Sequence, residues 1–241
     1  MFDIVIPVGP YDINIIKKQL EYTKKNIIGY RNIYLISYDK SLEVENCITI
    51  TEDIFPFTID TVANIHGKNK RNGWYFQQLL KLYSGLVIPH ILDRYLVVDS
   101  DTFFLKPTQF IRDNKCLYNF GTEYHIEYFE HMKKLDENLI KQDINKSGIC
   151  HHMMFETKYI KLLFNMIENK HNDLFYNIFL KNVYNVNLSG ASEYEIYFNF
   201  MLKYYNNEII IRALNWINTS SLDNHNDNNN YDYISCHHYM R

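Results

Sequence analysis

The sequence predicts an α/β fold, with a mostly parallel central sheet flanked by helices. Apolar runs of strand length recur without polar alternation, as in strands covered on both faces. Segments of helical period lie between them through the first half of the chain. The chain has 241 residues, 46% of them hydrophobic, which is enough for a sizeable core.

Taken in order, Phe2-Asp3-Ile4-Val5-Ile6-Pro7 reads as a buried strand, ended by Pro7-Val8-Gly9-Pro10. Residues 13–26 have helical period, with Ile16, Leu20 and Thr23 on one stripe and lysines elsewhere. A second strand spans 32–37 and closes at Tyr38-Asp39, and a short third one spans 47–51. The pattern over 73–86 is helical: Trp74, Gln77, Leu80, Lys81 and Ser84 mark one side, and Pro89 stops it. The apolar strand at 94–98 then runs straight into Asp99.

The second half is less regular. Residues 116–121 and 149–155 read as strands, with a polar helix or loop over 127–145 between them. Helices are expected at 159–168 and 192–205, and a strand at 209–211. The tract 223–230, nearly all Asp and Asn, is too polar to pack, and a last strand is expected over 233–239. With no repeat and no linker, residues 1–241 read as one domain.

A formal charge of −3 with 22% charged residues gives no reason to expect nucleic acid or an acidic membrane as partner. The basic cluster Lys68-Asn69-Lys70-Arg71 reads as a solvated loop rather than a phosphate clamp. The 21 Tyr and 15 Phe suit stacking on sugars, although coding bias explains the excess more simply. The four cysteines contain no Cys-x-x-Cys, and neither a secretory signal nor a membrane-spanning run is visible. The expected setting is therefore a reducing cytoplasm.

The strongest local signal is Leu96-Val97-Val98-Asp99-Ser100-Asp101-Thr102-Phe103-Phe104. The apolar strand delivers two carboxylates to the carboxyl edge of the sheet, where open α/β sheets bind ligands. Two such carboxylates repel each other unless a cation lies near them. Mg²⁺ and Mn²⁺ accept oxygen ligands, keep positions open for diphosphate oxygens, and would neutralise charge on a departing nucleoside diphosphate. Taken alone, Asp-x-Asp is a weak signal, because two Asp in a turn often only bond the backbone.

Residues 94–107 resemble the metal-binding region of glycosyltransferases with the Rossmann-like nucleotide-diphospho-sugar (A-type) fold. The helix Gly73-Trp74-Tyr75-Phe76-Gln77-Gln78-Leu79-Leu80-Lys81-Leu82-Tyr83 looks like the donor-side helix of those enzymes. So does the first strand ending in Pro7-Val8, and the late Ser192-Glu193-Tyr194-Glu195 and His237-His238 segments extend the likeness over most of the chain. The subset it resembles is a small group of uncharacterised or viral-type transferases, which implies the cytoplasm, a host's if viral. The resemblance divides the chain into a nucleotide-sugar half, 1–105, and an acceptor half, 106–241.

It also implies site residues. Asp101 binds the metal directly, Asp99 meets it through water or holds the ribose, and Ser100 lies between them at the donor. Val8 with Tyr38 or Asp39 borders the nucleoside, and Gln77 and Lys81 reach the donor sugar or diphosphate. A histidine near the carboxyl end completes the metal; His237 is favoured over His238 because on a strand it shares a face with Ser235 and Tyr239. His151 or His152 lines the donor-sugar or acceptor pocket. Ser192 and Glu195 form a capping box, which accounts for Glu195 structurally. A base for an inverting reaction is expected in this pair, Glu193 or Glu195; Glu193, in the first turn, is not needed for the cap and otherwise only complements the helix dipole. The donor is expected to be a UDP-sugar, with GDP as the alternative, and the acceptor a hydroxyl of a glycan, glycoprotein or other molecule.

Rival readings fit less well. A haloacid dehalogenase-type phosphatase wants Thr or Val two residues past the second Asp, where this chain has Phe103. A sugar-phosphate nucleotidyltransferase needs a Gly-rich, Arg-containing loop that Pro7-Val8-Gly9-Pro10-Tyr11 does not supply. A zinc site built from Cys150-His151-His152 and Cys236-His237-His238 would use adjacent ligands, which is stereochemically awkward. A non-catalytic nucleotide-sugar-binding protein on the same scaffold is the remaining alternative.

Overall fold

In the computed structural model, which describes residues 1–222, 230–237, 239 and 240, β1 (Phe2–Val8) is buried along its whole length. Its one charged residue, Asp3, accepts from Arg31 Nε at 3.0 Å and Nη2 at 2.6 Å, from Asn32 N at 3.0 Å and from Leu92 N at 2.8 Å. A carboxylate is tolerated at the centre of a sheet when its oxygens are satisfied in this way.

Helix α1 (Ile16–Asn26) starts later than its periodicity suggests, because Asp12 N bonds Gly9 O and Ile15 N bonds Asp12 O in a preceding turn. The helix buries Ile16, Gln19, Leu20, Thr23 and Asn26, one stripe at helical spacing. Next come β2 (Ile27–Ile28), β3 (Tyr30–Ser37) and β4 (Ile48–Thr51). Helix α2 (Ile59–His66), which the periodicity misses, begins at a capping box between Thr58 and Thr61. Then follow α3 (Asn72–Val87), β5 (Arg94–Val98) and β6 (Thr102–Phe104). Two buried amides of α1 grip β6: Gln19 Nε2 donates to Thr102 O at 3.0 Å and Asn26 Nδ2 to Phe104 O at 2.6 Å.

Beyond β6 the chain forms β7 (Thr108–Gln109), β8 (Ile111–Arg112), β9 (Lys115–Asn119) and α4 (Ile126–Leu135). It continues with β10 (His152–Glu156), α5 (Thr157–His171), α6 (Phe175–Lys181), α7 (Glu193–Tyr204), β11 (Ile209–Arg212), β12 (Trp216–Asn218) and β13 (Tyr233–Ser235). The expected strand over 149–155 begins only at His152, because His151 adopts a left-handed φ of 60°. The expected strand over 233–239 stops at Ser235. Within the expected Asn-rich tract and last strand, residues 223–229 and His238 lie outside the described residues.

The central sheet has the order β10-β5-β1-β3-β4, parallel except for β10. From β1 the chain moves to β3 on one side and later to β5 on the other. The strand order therefore reverses beside β1, and in such sheets the crevice at the carboxyl ends there is the binding site. Val8 and Asp99 both stand at that edge. Two smaller sheets, β11-β9-β8 and β12-β13-β6, extend the second half. In the latter, Ser235 of β13 registers with Thr102 of β6, which brings the carboxyl-terminal segment beside the Asp99-Ser100-Asp101 turn. The larger of two hydrophobic clusters among the described residues runs from Phe2 to Tyr233 and draws in α3, α5 and α7; the smaller one joins Phe103, Ile234 and Cys236. Many of the abundant aromatics are spent there, including the fully buried Tyr75, Tyr95, Tyr118, Tyr197 and Tyr233. No described helix is long and apolar enough to cross a membrane.

Candidate active site

Four buried residues, Tyr95 to Val98, carry the chain to the sheet edge, and three bonds then shape the turn. Asp99 N donates to His151 O at 2.9 Å, Thr102 N to Asp99 O at 3.0 Å, and Cys236 N to Asp101 O at 2.8 Å. The Ser100 hydroxyl donates to Asp12 Oδ2 at 2.7 Å, tying the turn to the loop after β1. The turn is thereby fixed by backbone bonds, and the two carboxylates that it presents have different partners.

Asp99 is enclosed. Its Oδ1 accepts from Lys81 Nζ at 2.6 Å and from Tyr194 OH at 2.8 Å, and its Oδ2 lies 3.5 Å from His151 Nδ1. Burial by itself would raise its pKa, but the Lys81 and His151 partners outweigh that and hold it well below the usual carboxylate range. Lys81, only 3% exposed, also bonds Glu193 Oε1 at 2.7 Å. Burial lowers the Lys81 pKa, yet the two carboxylates more than restore it, so the ammonium stays charged. Glu193 is raised, chiefly by burial, with Lys81 pulling the other way. Its backbone N is held by Gln78 Oε1 at 3.0 Å.

Asp101 has a looser setting. Its Oδ2 meets His237 Nδ1 at 2.9 Å, and the two side chains are 13% and 15% exposed. Burial lowers the His237 pKa, but the Asp101 contact reverses this and leaves it raised. The His237 ring lies 4.8 Å from that of His151 and stacks at 5.2 Å on Tyr239. Trp216 closes the other side of His151 at 4.9 Å, and the buried His151 Nε2 has no hydrogen-bond partner.

The fold thus brings together Asp99, Ser100, Asp101, Lys81, His151, Glu193 and His237. Val8 is buried at the end of β1, and Gln77 is half-buried on α3 beside the better-placed Gln78. Tyr38 and Asp39 stand at the end of β3, where Tyr38 is exposed and the Asp39 carboxylate accepts from Ser41 N and Oγ.

Two expected residues go elsewhere. His152 turns away from the turn into a cage of Phe104, Phe110 and Tyr233, because neighbours on a strand face opposite sides. Glu195 is fully buried and bonded to Ser147 Oγ at 2.5 Å and Asn199 Nδ2 at 2.7 Å, so its carboxylate is internal structure. Ser192 Oγ does accept from Glu195 N, the backbone half of the expected box. The strand-face argument for His237 has no basis, since β13 ends before it; the Cys236–Asp101 backbone bond puts it in place. Asp12, Gln78, Tyr194 and Trp216 were not anticipated. Tyr194 alone carried a signal, as the aromatic inside Ser-Glu-Tyr-Glu.

Among the described residues, no group of three or more His, Cys, Asp or Glu side chains is arranged to hold a metal ion. That is no obstacle to Mg²⁺ or Mn²⁺, which bind through one or two carboxylates, with substrate phosphates and water completing the shell. A carboxylate and an imidazole in contact, with an unpartnered imidazole nitrogen close by, fit such an open site. They do not form a closed zinc cage. A cavity of about 470 Å³ opens at the opposite end of β5, bordered by Asp93, Arg94, Glu156 and Lys158. There Arg94 and Glu156 already pair at 3.0 Å, and it lies at the amino edge of the sheet, so we do not regard it as the site.

Mouse xyloside xylosyltransferase 1, in its apo form, shares the fold at a TM-score of 0.50, with 97% of each chain covered and 9% sequence identity. No curated protein matches the sequence. Residues 32–228 match the model of the family of unknown function DUF6492, and the chain belongs to that family.

Proposed function

We propose that this protein is a metal-dependent glycosyltransferase, moving a sugar from a nucleoside-diphosphate sugar, by preference a UDP-sugar, to a hydroxyl acceptor. One observation carries the reading. At the point where strand order reverses, two carboxylates leave β5, and the outer one meets a histidine from the far end of the chain at 2.9 Å. The shared fold with a xylosyltransferase supports it. Asp101 and His237 would hold Mn²⁺ or Mg²⁺, with Asp99 behind them. When bound, the ion would neutralise the charge of the diphosphate leaving group.

The chain's own groups take the remaining roles. Lys81 keeps Asp99 ionised and adds positive charge at the donor diphosphate. Val8, Tyr38 and Asp39 border the nucleoside, and His151 faces the donor sugar. In an inverting course Glu193 would be the base, and it would first have to leave Lys81; its raised pKa suits a proton acceptor. A retaining course is favoured by a different observation: Glu193 is bonded to Lys81, and Glu195 to Ser147 and Asn199, which leaves neither free for the acceptor. Residues 1–105 would serve the donor and 106–241 the acceptor.

Mn²⁺ together with UDP should raise the melting temperature, and Asp101→Ala should abolish that rise. Equal shifts in both proteins would refute the metal assignment. Screening nucleotide-sugars for metal-dependent donor hydrolysis separates an enzyme from a mere binder.

A further inference from the structure

Tyr194 stands in the middle of the site, and none of the roles given so far is its own. Its hydroxyl donates to Asp99 Oδ1 at 2.8 Å, and Lys81 Nζ lies over its ring, 4.5 Å from the centroid. It therefore touches both members of the Lys81–Asp99 pair, which is itself closed at 2.6 Å. Filling the core needs no hydroxyl, and α7 already supplies Phe198 and Phe200 for that. A buried tyrosine hydroxyl takes a polar partner. Here the partner is a carboxylate oxygen that already has one.

The position of Tyr194 is set from both sides of α7. Before it, Glu193 N donates to Gln78 Oε1 of α3 at 3.0 Å; after it, the Glu195 carboxylate accepts from Ser147 Oγ at 2.5 Å. Gly148 packs against the same turn. A Cβ there would stand 2.6 Å from both Tyr194 O and Phe198 Cβ, so any larger residue would push the helix away. The first turn of α7 is thus clamped between α3 and the segment that leads to His151.

The result is an asymmetric carboxylate. Asp99 Oδ1 accepts from two donors, Lys81 and Tyr194, which uses both of its lone pairs. Oδ2 has His151 Nδ1 at 3.5 Å, too far for a good hydrogen bond. Lys81 and Tyr194 are buried while Asp99 is partly exposed, so the open part of the carboxylate is its Oδ2 side. We propose that Tyr194 is a positioning residue of the donor site: with Lys81 it occupies Asp99 Oδ1 and leaves Oδ2 as the oxygen offered to the donor–metal complex. The proposal rests on the glycosyltransferase reading and adds to it which oxygen of Asp99 meets the ligand and what aims it. The last torsion of an aspartate is broad and roughly two-fold, so a carboxylate held by one donor swings more widely than one held by two.

The test compares two hydroxyls of one helix. Tyr194→Phe removes the hydroxyl on Asp99. Tyr197→Phe removes an equally buried one, three residues on, that accepts from Glu156 N at 3.1 Å. Titration calorimetry in saturating Mn²⁺ gives the affinity for UDP, or for GDP if the parent prefers it. We expect Tyr194→Phe to weaken binding about tenfold, as is usual when a hydrogen bond that orients a metal-site carboxylate is lost. Tyr197→Phe should leave it unchanged, even where both variants lower the ligand-free melting temperature. In an Asp99→Asn background Tyr194→Phe should add nothing, because the hydroxyl acts through that side chain. Parent-like affinity in Tyr194→Phe, equal losses in the two Phe variants, or an additive loss in the Asp99→Asn background would each overturn the positioning role alone. If the parent binds neither nucleotide with Mn²⁺, the donor reading fails and this proposal with it.

Discussion

The inner wall of the cleft and its outer rim use the same chemistry to opposite ends. On the wall, the buried Lys81, Glu193 and Tyr194 and the partly exposed Asp99 form a network in which every charge has an opposite within 2.7 Å. On the rim, the Asp101 carboxylate has one partner at hydrogen-bond distance among the described residues, His237, and both side chains are partly open to solvent. The two aspartates are separated only by Ser100. A group spent on internal partners holds a shape, whereas one left with a single exchangeable partner can bind something else. The wall would thus preorganise the site, and the rim would be where a ligand enters.

Removing the cation of the wall should have the largest effect. Lys81→Met leaves Glu193 buried and Asp99 partly buried without compensation, and breaking a buried ion pair on one side typically costs roughly 3–5 kcal/mol. Urea unfolding at neutral pH measures it. A loss below about 1 kcal/mol would mean that water already reaches both carboxylates, and the contrast with the rim would disappear.

A paired comparison of the aspartates comes next. Asp99→Asn weakens the partners of Lys81 and Tyr194 and should cost about 1–3 kcal/mol without any ligand. Asp101→Asn should stay within about 0.5 kcal/mol, as expected where the carboxylate has a single hydrogen-bonded partner and an amide can keep it. If metal-free unfolding gives both variants the same loss, the two aspartates do not divide the labour as their contacts suggest.

What could be read in advance follows from range. α1 and α3 announce themselves because each is long enough to show a period, and β1, β3 and β5 because burial on both faces leaves unbroken apolar runs. The two- and three-residue strands β2, β7, β8 and β12 have no period; their pairing is decided by tertiary hydrogen bonds. Asp99 and Asp101 stood out because an apolar strand runs into them. Asp12, Tyr194 and Trp216 did not, since each acquires its place only through a partner far along the chain, as Asp12 does with Ser100. The strand expected to orient His237 ends two residues earlier, and a backbone bond from Cys236 to Asp101 places it instead. Glu195 shows the reverse. A local capping signal was right about its backbone, while its side chain was fixed by Ser147, which no local pattern reveals.

The two adjacent histidines of β10 and its approach sharpen the contrast further, through acid. His151 faces the wall and stands by Asp99, whereas His152 is shut into the Phe104, Phe110 and Tyr233 cage with neither ring nitrogen bonded. Burial, reinforced by Arg212 and His151, pushes the His152 pKa down to about 3. The unfolded chain takes up that proton near pH ~6.5, and the folded protein does not until far lower. Stability therefore falls as pH drops below ~6.5, by about 1.4 kcal/mol per pH unit for this one group. His131, lowered to about 4 by burial, adds a parallel loss that a His152 substitution leaves intact. His152→Phe keeps an aromatic ring in an aromatic cage and removes the proton. Its urea-derived stability at pH 7, 6 and 5 should therefore decline less steeply than the parent's by about one proton. Parallel declines would mean that the native cage already admits a charged imidazole, and His152 would then belong with the open rim rather than the sealed interior.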